Sequence, residues 1–116
     1  MDTIVFASPI LSGQTEAYHA FLQEMQTSRH HDYVASRQRM GIQRERVWIQ
    51  RMAEGDWAIL VVEAEKASHV FHEIATSRDP FDAWFRHHEN ATLDMTRTPS
   101  ATAMPLLAFD SASSGE

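Results

Sequence analysis

The chain contains several short stretches of apolar residues, and the first of them predicts a strand. Residues 3–11 (TIVFASPIL) are rich in the β-branched and aromatic side chains that favour extended structure. After the Ser12-Gly13 break the spacing becomes that of an amphipathic helix. Its predicted buried face comprises Tyr18, Phe21, Leu22 and Met25. The pattern weakens beyond this face but continues, so it predicts one long helix to about Met40, ended by Gly41.

The middle of the chain predicts an antiparallel hairpin. Residues 46–53 (RVWIQRMA) and 56–65 (DWAILVVEAE) are both strand-like, and they flank Glu54-Gly55. A short link that contains glycine is typical of the turn between two paired strands.

The C-terminal half predicts a second helical region and a last strand. A short amphipathic helix is marked by Ala67, Val70, Phe71 and Ile74. Residues 79–89 continue it as a second segment, residues 96–104 form a loop, and residues 105–110 (PLLAFD) form the last strand. We expect residues 1–110 to make one domain and residues 111–116 to be a mobile polar tail.

The segment DPFDAWFRHHE predicts a helix that docks by an aromatic face. Asp79 suits the N-cap position and Pro80 the first helical position. One face of that helix would carry Phe81, Trp84, Phe85 and His88. The remaining faces would carry Arg86, His87 and Glu89.

The element order β-α-β-β-α-β predicts an α+β fold of the ferredoxin-like type. Its sheet would have four antiparallel strands, with two helices on one face. Both faces of the hairpin strands are apolar, although a face without helices is normally polar. A second copy of the chain is the economical cover, so we expect a homodimer.

Composition narrows the class of protein. A chain of 116 residues with 43% hydrophobic and 22% charged residues fits one soluble globular domain. The net charge of −6 disfavours binding to nucleic acid or to an anionic membrane. Cysteine is absent, which excludes disulfides and thiolate catalysis. No apolar run is long enough to span a membrane and no signal peptide is visible, so we expect a cytoplasmic protein.

Seven histidines raise the question of a metal site. His69 and His72 are one helical turn apart, a spacing that can place two ligands on one metal. They lie opposite the apolar face of their helix, however, and the adjacent pairs His30-His31 and His87-His88 cannot chelate alone. We therefore predict neither a metal site nor a cofactor.

Four blocks of sequence, together with the element order, carry a resemblance to known proteins. The blocks are ASPILSGQTEA, RMGIQRERVWIQ, GDWAILVVEAE and DPFDAWF. They resemble a bacterial family of unknown function within the ferredoxin-like dimeric α/β-barrel superfamily, which includes the antibiotic-biosynthesis monooxygenase-like group and the muconolactone isomerases. The resemblance implies a barrel closed by the dimer, with a small ligand held between sheet and helices. It supplies no catalytic motif. The shared fold of the superfamily does not determine a reaction either.

The candidate ligand-binding residues are Tyr18, Tyr33, Arg37, Trp48 and Gln50. Trp48 would form an apolar wall, Gln50 and Tyr33 would fix orientation by hydrogen bonds, and Arg37 would favour an acidic group. Tyr33 and Arg37 could instead belong to a solvated helix end, and Trp48 and Gln50 to an edge strand that meets water or the dimer partner. Catalytic residues are not assigned.

Two classes of function follow. One is a small-molecule binder or enzyme, with cofactor-free oxidation or isomerisation of a small aromatic acid as the reaction that the resemblance suggests. The other is a non-catalytic dimeric interaction module whose apolar sheet faces only assemble. A pocket lined by Trp48 and convergent polar groups would favour the first class.

Overall fold

The computed structural model describes residues 1–97 and 106–112. The chain forms β1 (Asp2–Pro9), α1 (Thr15–Gln26), α2 (His30–Met40), β2 (Ile42–Met52), β3 (Gly55–Ala64), α3 (Ala67–Thr76) and α4 (Pro80–Thr92), followed by a short 3-10 helix (Met95–Arg97). The fold is α+β, as predicted. None of the helices in the described ranges is long and apolar enough to cross a membrane.

The three strands form one antiparallel sheet in the order β1-β3-β2. The predicted hairpin is confirmed: Met52 pairs with Gly55 across a two-residue turn, and Gly55 adopts φ 136°, which favours glycine. A register shift between Ile42 and Arg44 marks a bulge at the start of β2.

The predicted four-stranded ferredoxin-like sheet is wrong, and with it the dimeric α/β barrel built from such sheets. Residues 106–110 belong to no strand, and Leu106 and Phe109 are 89% and 81% exposed. Pro105 lies outside the described residues. After α4 the chain meets the end of β1 instead, where Leu93 bridges Ile10. A run of four apolar residues is a weak strand signal, because periodicity in so short a stretch does not distinguish a strand from other structure.

The single long helix predicted from Thr15 to Met40 is also wrong, because the chain breaks between α1 and α2. Thr27 leaves the helical conformation at φ −127° and ψ −99°, and its hydroxyl donates to the carbonyl of Gln23 over 2.8 Å. Threonine and serine side chains offer such competing bonds, which favour helix ends. Gly41 ends α2 in the left-handed conformation, as predicted.

The helices pack on one face of the sheet and form two apolar clusters. The larger cluster joins α1, α4 and β3 and contains Ile10, Tyr18, Phe21, Met25, Ala58, Leu60, Phe81, Phe85 and Leu93. The smaller cluster joins β1, β3, the end of α2 and the start of α3, and contains Ile4, Met40, Val62, Ala64, Ala67 and Val70. The two clusters leave the centre of the layer between sheet and helices for polar groups.

The start of α4 is fixed by two aspartates. Asp79 caps the helix as predicted, since its carboxylate accepts from the backbone N–H of Phe81 over 2.9 Å. The buried Asp82 carboxylate accepts from Ser36 and Ser77 hydroxyls at 2.5 and 2.6 Å and from Arg39 at 3.1 Å. Burial alone would raise the pKa of Asp82, but these hydrogen bonds hold it below its ordinary value. Asp82 thereby ties α4 to α2.

The second face of the sheet carries apolar side chains that no described element packs over as a layer. The strand register brings Val5, Val61 and Arg46 into one row and Ala7, Ile59 and Trp48 into the next. We call this surface the open face; its largest exposed apolar side chain is Trp48, at 48%. The mobile tail predicted for residues 111–116 lies mostly outside the described residues, and positions 111 and 112 are exposed.

Candidate functional site

A cavity of about 310 Å³ lies between the helices and the sheet. Helices α1, α2 and α4 form its sides, and β2 and β3 form its floor. The lining residues are Tyr18, Phe21, Leu22, Met25, Gln26, His30, Tyr33, Glu45, Val47, Leu60, Phe85 and Glu89. The volume is at the lower end of the range for small-molecule sites, and a mainly apolar lining with a few polar groups is typical of them.

Tyr18 contributes a buried hydroxyl to the wall of the cavity. The helical spacing of α1 places Tyr18 beside Phe21 on the inner face, and its side chain is 0% exposed. Its hydroxyl has no hydrogen-bond partner among the described residues. Burial raises the pKa of the Tyr18 phenol, and the nearby carboxylates raise it further, so the phenol stays protonated. An unpaired buried hydroxyl is costly unless a ligand or water satisfies it.

A buried ion pair occupies the end of the cavity near β2. The Arg37 Nε donates to Glu45 Oε1 over 3.0 Å, and the Tyr33 hydroxyl donates to the same oxygen over 2.7 Å. The Arg37 guanidinium also lies 4.3 Å from the centre of the Phe85 ring and donates to Ser36 Oγ. Burial acts to lower the pKa of Arg37, but the Glu45 carboxylate more than offsets it. The charge of Arg37 is therefore already neutralised within the protein.

Glu89, on α4, is the second carboxyl of the cavity. It is half-buried, and its side chain has no hydrogen-bond partner within the part of the chain that the structure describes. Burial raises the pKa of Glu89 to about 7, the charge of Glu45 adds to the shift, and Arg37 opposes it. Glu89 and Glu45 also line a smaller apolar space of about 40 Å³ beside α3. A carboxyl poised near neutral pH in an apolar setting is suited to proton transfer.

Comparison with protein families assigns the chain. Residues 1–114 match the model of a family described as Family of unknown function (DUF6176). The chain belongs to the DUF6176 family. The resemblance to a family of unknown function is thus confirmed, whereas its membership of the wider ferredoxin-like superfamily finds no support. Comparisons with curated proteins and with solved structures find no match.

The cavity of this DUF6176 protein contains only part of the predicted site. Tyr18 and Tyr33 line it, and Arg37 lies behind Glu45, where its charge is paired. Trp48 and Gln50 point to the open face, away from the cavity, because β2 alternates. The Gln50 amide donates to the Arg51 carbonyl over 3.2 Å. The structure therefore does not bring the predicted residues together in one pocket.

Sequence reasoning missed Glu45 and Glu89. Glu89 lies four and eight residues after Phe85 and Phe81, so it borders their face of α4, but the sequence analysis assigned it to another face. Glu45 precedes Val47 by two positions, so strand alternation places it on the helix side. An acid at an inward-facing position was the available signal in both cases.

The histidines of the DUF6176 chain are dispersed. His30 lines the cavity, with its Nδ1 3.3 Å from the Met25 carbonyl oxygen. His88 stacks on Phe21, with ring centres 5.3 Å apart. His69 and His72 are exposed. Across residues 1–97 and 106–112, no three histidine, aspartate or glutamate side chains come together as a metal site.

Proposed function

We propose that the chain binds a small, mainly apolar molecule in the cavity between the sheet and α1, α2 and α4. The observation that carries this proposal is the composition of the lining, which combines aromatic and aliphatic side chains with a few polar groups; we call these polar groups the polar region. The polar region holds the Tyr18 hydroxyl and the Glu89 carboxyl, neither of which has a side-chain partner among the described residues. A ligand would supply the missing partners.

The charges of the cavity favour a neutral ligand over the aromatic acid suggested by sequence. Arg37 was expected to attract an acid, but its Nε already pairs with the Glu45 carboxylate at 3.0 Å. A carboxylate placed in this cavity would meet Glu45 and Glu89, while the guanidinium of Arg37 is already paired with Glu45. Like charges at short range in an apolar setting are strongly unfavourable.

Among the cofactor-free reactions that the resemblance suggested, isomerisation is favoured over oxidation. Isomerisation requires only a proton acceptor and a proton donor, which Glu89 can be in turn near neutral pH. The bacterial origin and cytoplasmic location expected from the sequence stay predictions.

Filling the cavity tests the binding proposal. Leu22 is half-buried and lines the cavity, so Leu22→Trp should place an indole where the ligand would lie. A panel of neutral aromatic compounds should raise the melting temperature of the wild type, because ligands that bind only the folded state stabilise it. We expect Leu22→Trp to abolish this rise. Leu11→Trp, at an exposed position that does not line the cavity, is the matched control and should retain it. A panel that leaves the wild type unshifted would contradict the proposal.

A second candidate function is homodimerisation through the open face, and the observation that favours it is the exposure of Val5 and Trp48 at 43% and 48%. Ile59 and Val61 lie between them and are half-buried. Arg44 pairs in register with Glu63 at the edge of this face. A two-fold axis could set the arginine of one copy against the glutamate of the other. In this alternative the chain is an interaction module and the cavity has no chemical role.

A further inference from the structure

Two polar groups of the cavity are positioned to act on one ligand. Tyr18 is on α1 and Glu89 is on α4, and both line the same space. The charge of Glu89 also contributes to the raised pKa of the Tyr18 phenol. Glu45 differs from both, because Arg37 and Tyr33 donate to its carboxylate. Glu45 is therefore already hydrogen-bonded within the protein, whereas the Tyr18 hydroxyl and the Glu89 carboxyl are available to a ligand.

The unpaired phenol selects the kind of ligand group. A protonated phenol buried without a partner needs an acceptor. The apolar rings of Phe21 and Phe85 favour a ligand that is otherwise hydrocarbon. A ketone combines both properties: its oxygen accepts a hydrogen bond and it carries no charge. The hydrogens on the carbon next to a ketone are also acidic enough for a carboxylate to remove when the oxygen is stabilised.

From this arrangement we infer that the cavity enolises a neutral ketone, with Tyr18 donating a hydrogen bond to the ketone oxygen and Glu89 moving a proton at the adjoining carbon. The inference rests on the proposed small-molecule function and deepens it. Tyr18 and Glu89 are the catalytic residues of this scheme, and Glu45, paired with Arg37, forms part of the cavity wall.

The reaction is balanced without an added cofactor. The Glu89 carboxylate takes a proton from the carbon next to the ketone, and the electron pair of the broken C–H bond forms a carbon–carbon double bond. The electron pair of the C=O double bond moves onto oxygen, where the Tyr18 hydroxyl stabilises it. The Glu89 carboxylic acid then returns a proton to the same carbon or to a conjugated one. Return to a different carbon isomerises the ketone, and return to the same carbon exchanges its hydrogen with solvent.

The protonation of Glu89 supports this role. Its pKa of about 7 leaves a large share of the carboxyl ionised at neutral pH, while the acid form remains able to return the proton. The groups that face Glu89 from neighbouring elements are Tyr18 of α1, Arg37 of α2 and Glu45 of β2, with His30 and Tyr33 lining the same space. The side of α3 toward it is apolar.

The experiment uses β-tetralone and tetralin, which share a ring skeleton and differ by the ketone. NMR in deuterated buffer follows the loss of the β-tetralone hydrogens next to the carbonyl, and the same samples report binding of each compound. The full chain is compared with Tyr18→Phe, Glu89→Gln, Glu89→Asp and Glu24→Gln. Glu24 is an exposed acid of α1 outside the cavity lining, so Glu24→Gln is the control for charge removal.

We expect the wild type and Glu24→Gln to accelerate exchange above the buffer rate, with a rate that rises with pH and levels off above a midpoint near 7. Glu89→Gln should lower the protein-dependent rate by at least about a hundredfold while still binding β-tetralone. Glu89→Asp should keep a measurable part of the rate and thereby separate loss of the acid from loss of the fold. Tyr18→Phe should reduce the preference for β-tetralone over tetralin by roughly fivefold to tenfold.

Three outcomes would overturn the inference, and they differ in what they leave standing. Binding of β-tetralone without faster exchange would refute the enolisation and leave the small-molecule proposal intact. Binding of tetralin as tightly as β-tetralone would refute the role of Tyr18. If neither compound binds, both the inference and the proposed function fail.

Discussion

Glu89 is a carboxyl whose environment opposes its ionisation. Burial and the charge of Glu45 both raise its pKa, and Arg37 offsets them only in part because it is engaged by Glu45. Asp82 has the opposite character: it is 2% exposed, yet three donors hold its pKa below the ordinary value. Glu89 has no such donors among the described residues and faces the charge of Glu45, so its pKa rises instead.

The stability of the protein should depend on pH through Glu89. Its pKa rises from 4.5 in the unfolded chain to about 7 in the folded one, so the folded state binds more protons between these values. The free energy of unfolding therefore falls as pH rises through this window, by roughly 3 kcal/mol at most. Glu89→Gln removes this loss, so relative to the wild type it should gain stability between pH 5 and pH 8.

Urea denaturation at about pH 5 and about pH 8 measures the effect. The exposed Glu24→Gln is the control and should follow the wild type at both values. Asp82 is present in all three proteins, so its contribution cancels in the comparison. Parallel pH dependence in Glu89→Gln and the wild type would show that Glu89 is ionised normally in the folded state.

At the scale of elements, the sequence predicts what local chemistry decides. The hairpin, the Asp79 cap and the Gly41 helix end follow from residues next to each other in the chain, and all are confirmed. The break after Gln26 was missed because an apolar pattern that continues through Tyr33 concealed it. The fourth strand failed because pairing depends on a distant edge, which composition cannot reveal.

Alanine substitutions on α4 should distinguish its buried face from its exposed one. Phe85 is buried between Phe21 and the Arg37 guanidinium, so Phe85→Ala should cost about 3–5 kcal/mol of folding free energy. Trp84 is only half-buried, so Trp84→Ala should lower the folding free energy by less than Phe85→Ala does. His87 is exposed, so His87→Ala should change stability by less than about 0.5 kcal/mol. Melting temperatures measured on the three variants test this order, and an equal loss in all of them would refute it.

At the scale of the whole molecule, the sheet separates two surfaces with different properties. The helix side encloses the cavity and its acids, and the open face presents Trp48, Ile59 and Val61 outward. The candidate site predicted from the sequence merged these surfaces, because alternation along a strand gives two faces but does not say which one the helices cover. Tyr18 and Tyr33 do line the cavity, and the apolar spacing of the helical region was the signal that pointed to them.

Association through the open face should be sensitive to charge. Trp48→Glu places a carboxylate at the largest exposed apolar side chain of that face and should shift a dimer to a monomer. Val34 is 38% exposed and belongs to α2, in the helix layer, so Val34→Glu is the matched control and should remain a dimer. A dimer of ordinary stability would bury at least about 1,200 Å² in total.

Light scattering at micromolar concentration measures the mass of each protein. A monomeric wild type would remove the interaction-module alternative, since the open face would then have no second copy over it. A dimer that survives Trp48→Glu would place the interface elsewhere.

The hydrogen-bonded chain from Asp82 through Ser36 and Arg37 to Glu45 should constrain which substitutions relatives of this protein can carry. It crosses α4, α2 and β2, and each member satisfies a neighbour that is itself buried. Loss of Arg37 alone would leave the Glu45 carboxylate buried without its cation, which is far more damaging than loss of both. Across DUF6176 relatives these two positions should therefore change together, and lineages that replace the arginine should already carry a neutral residue at the glutamate.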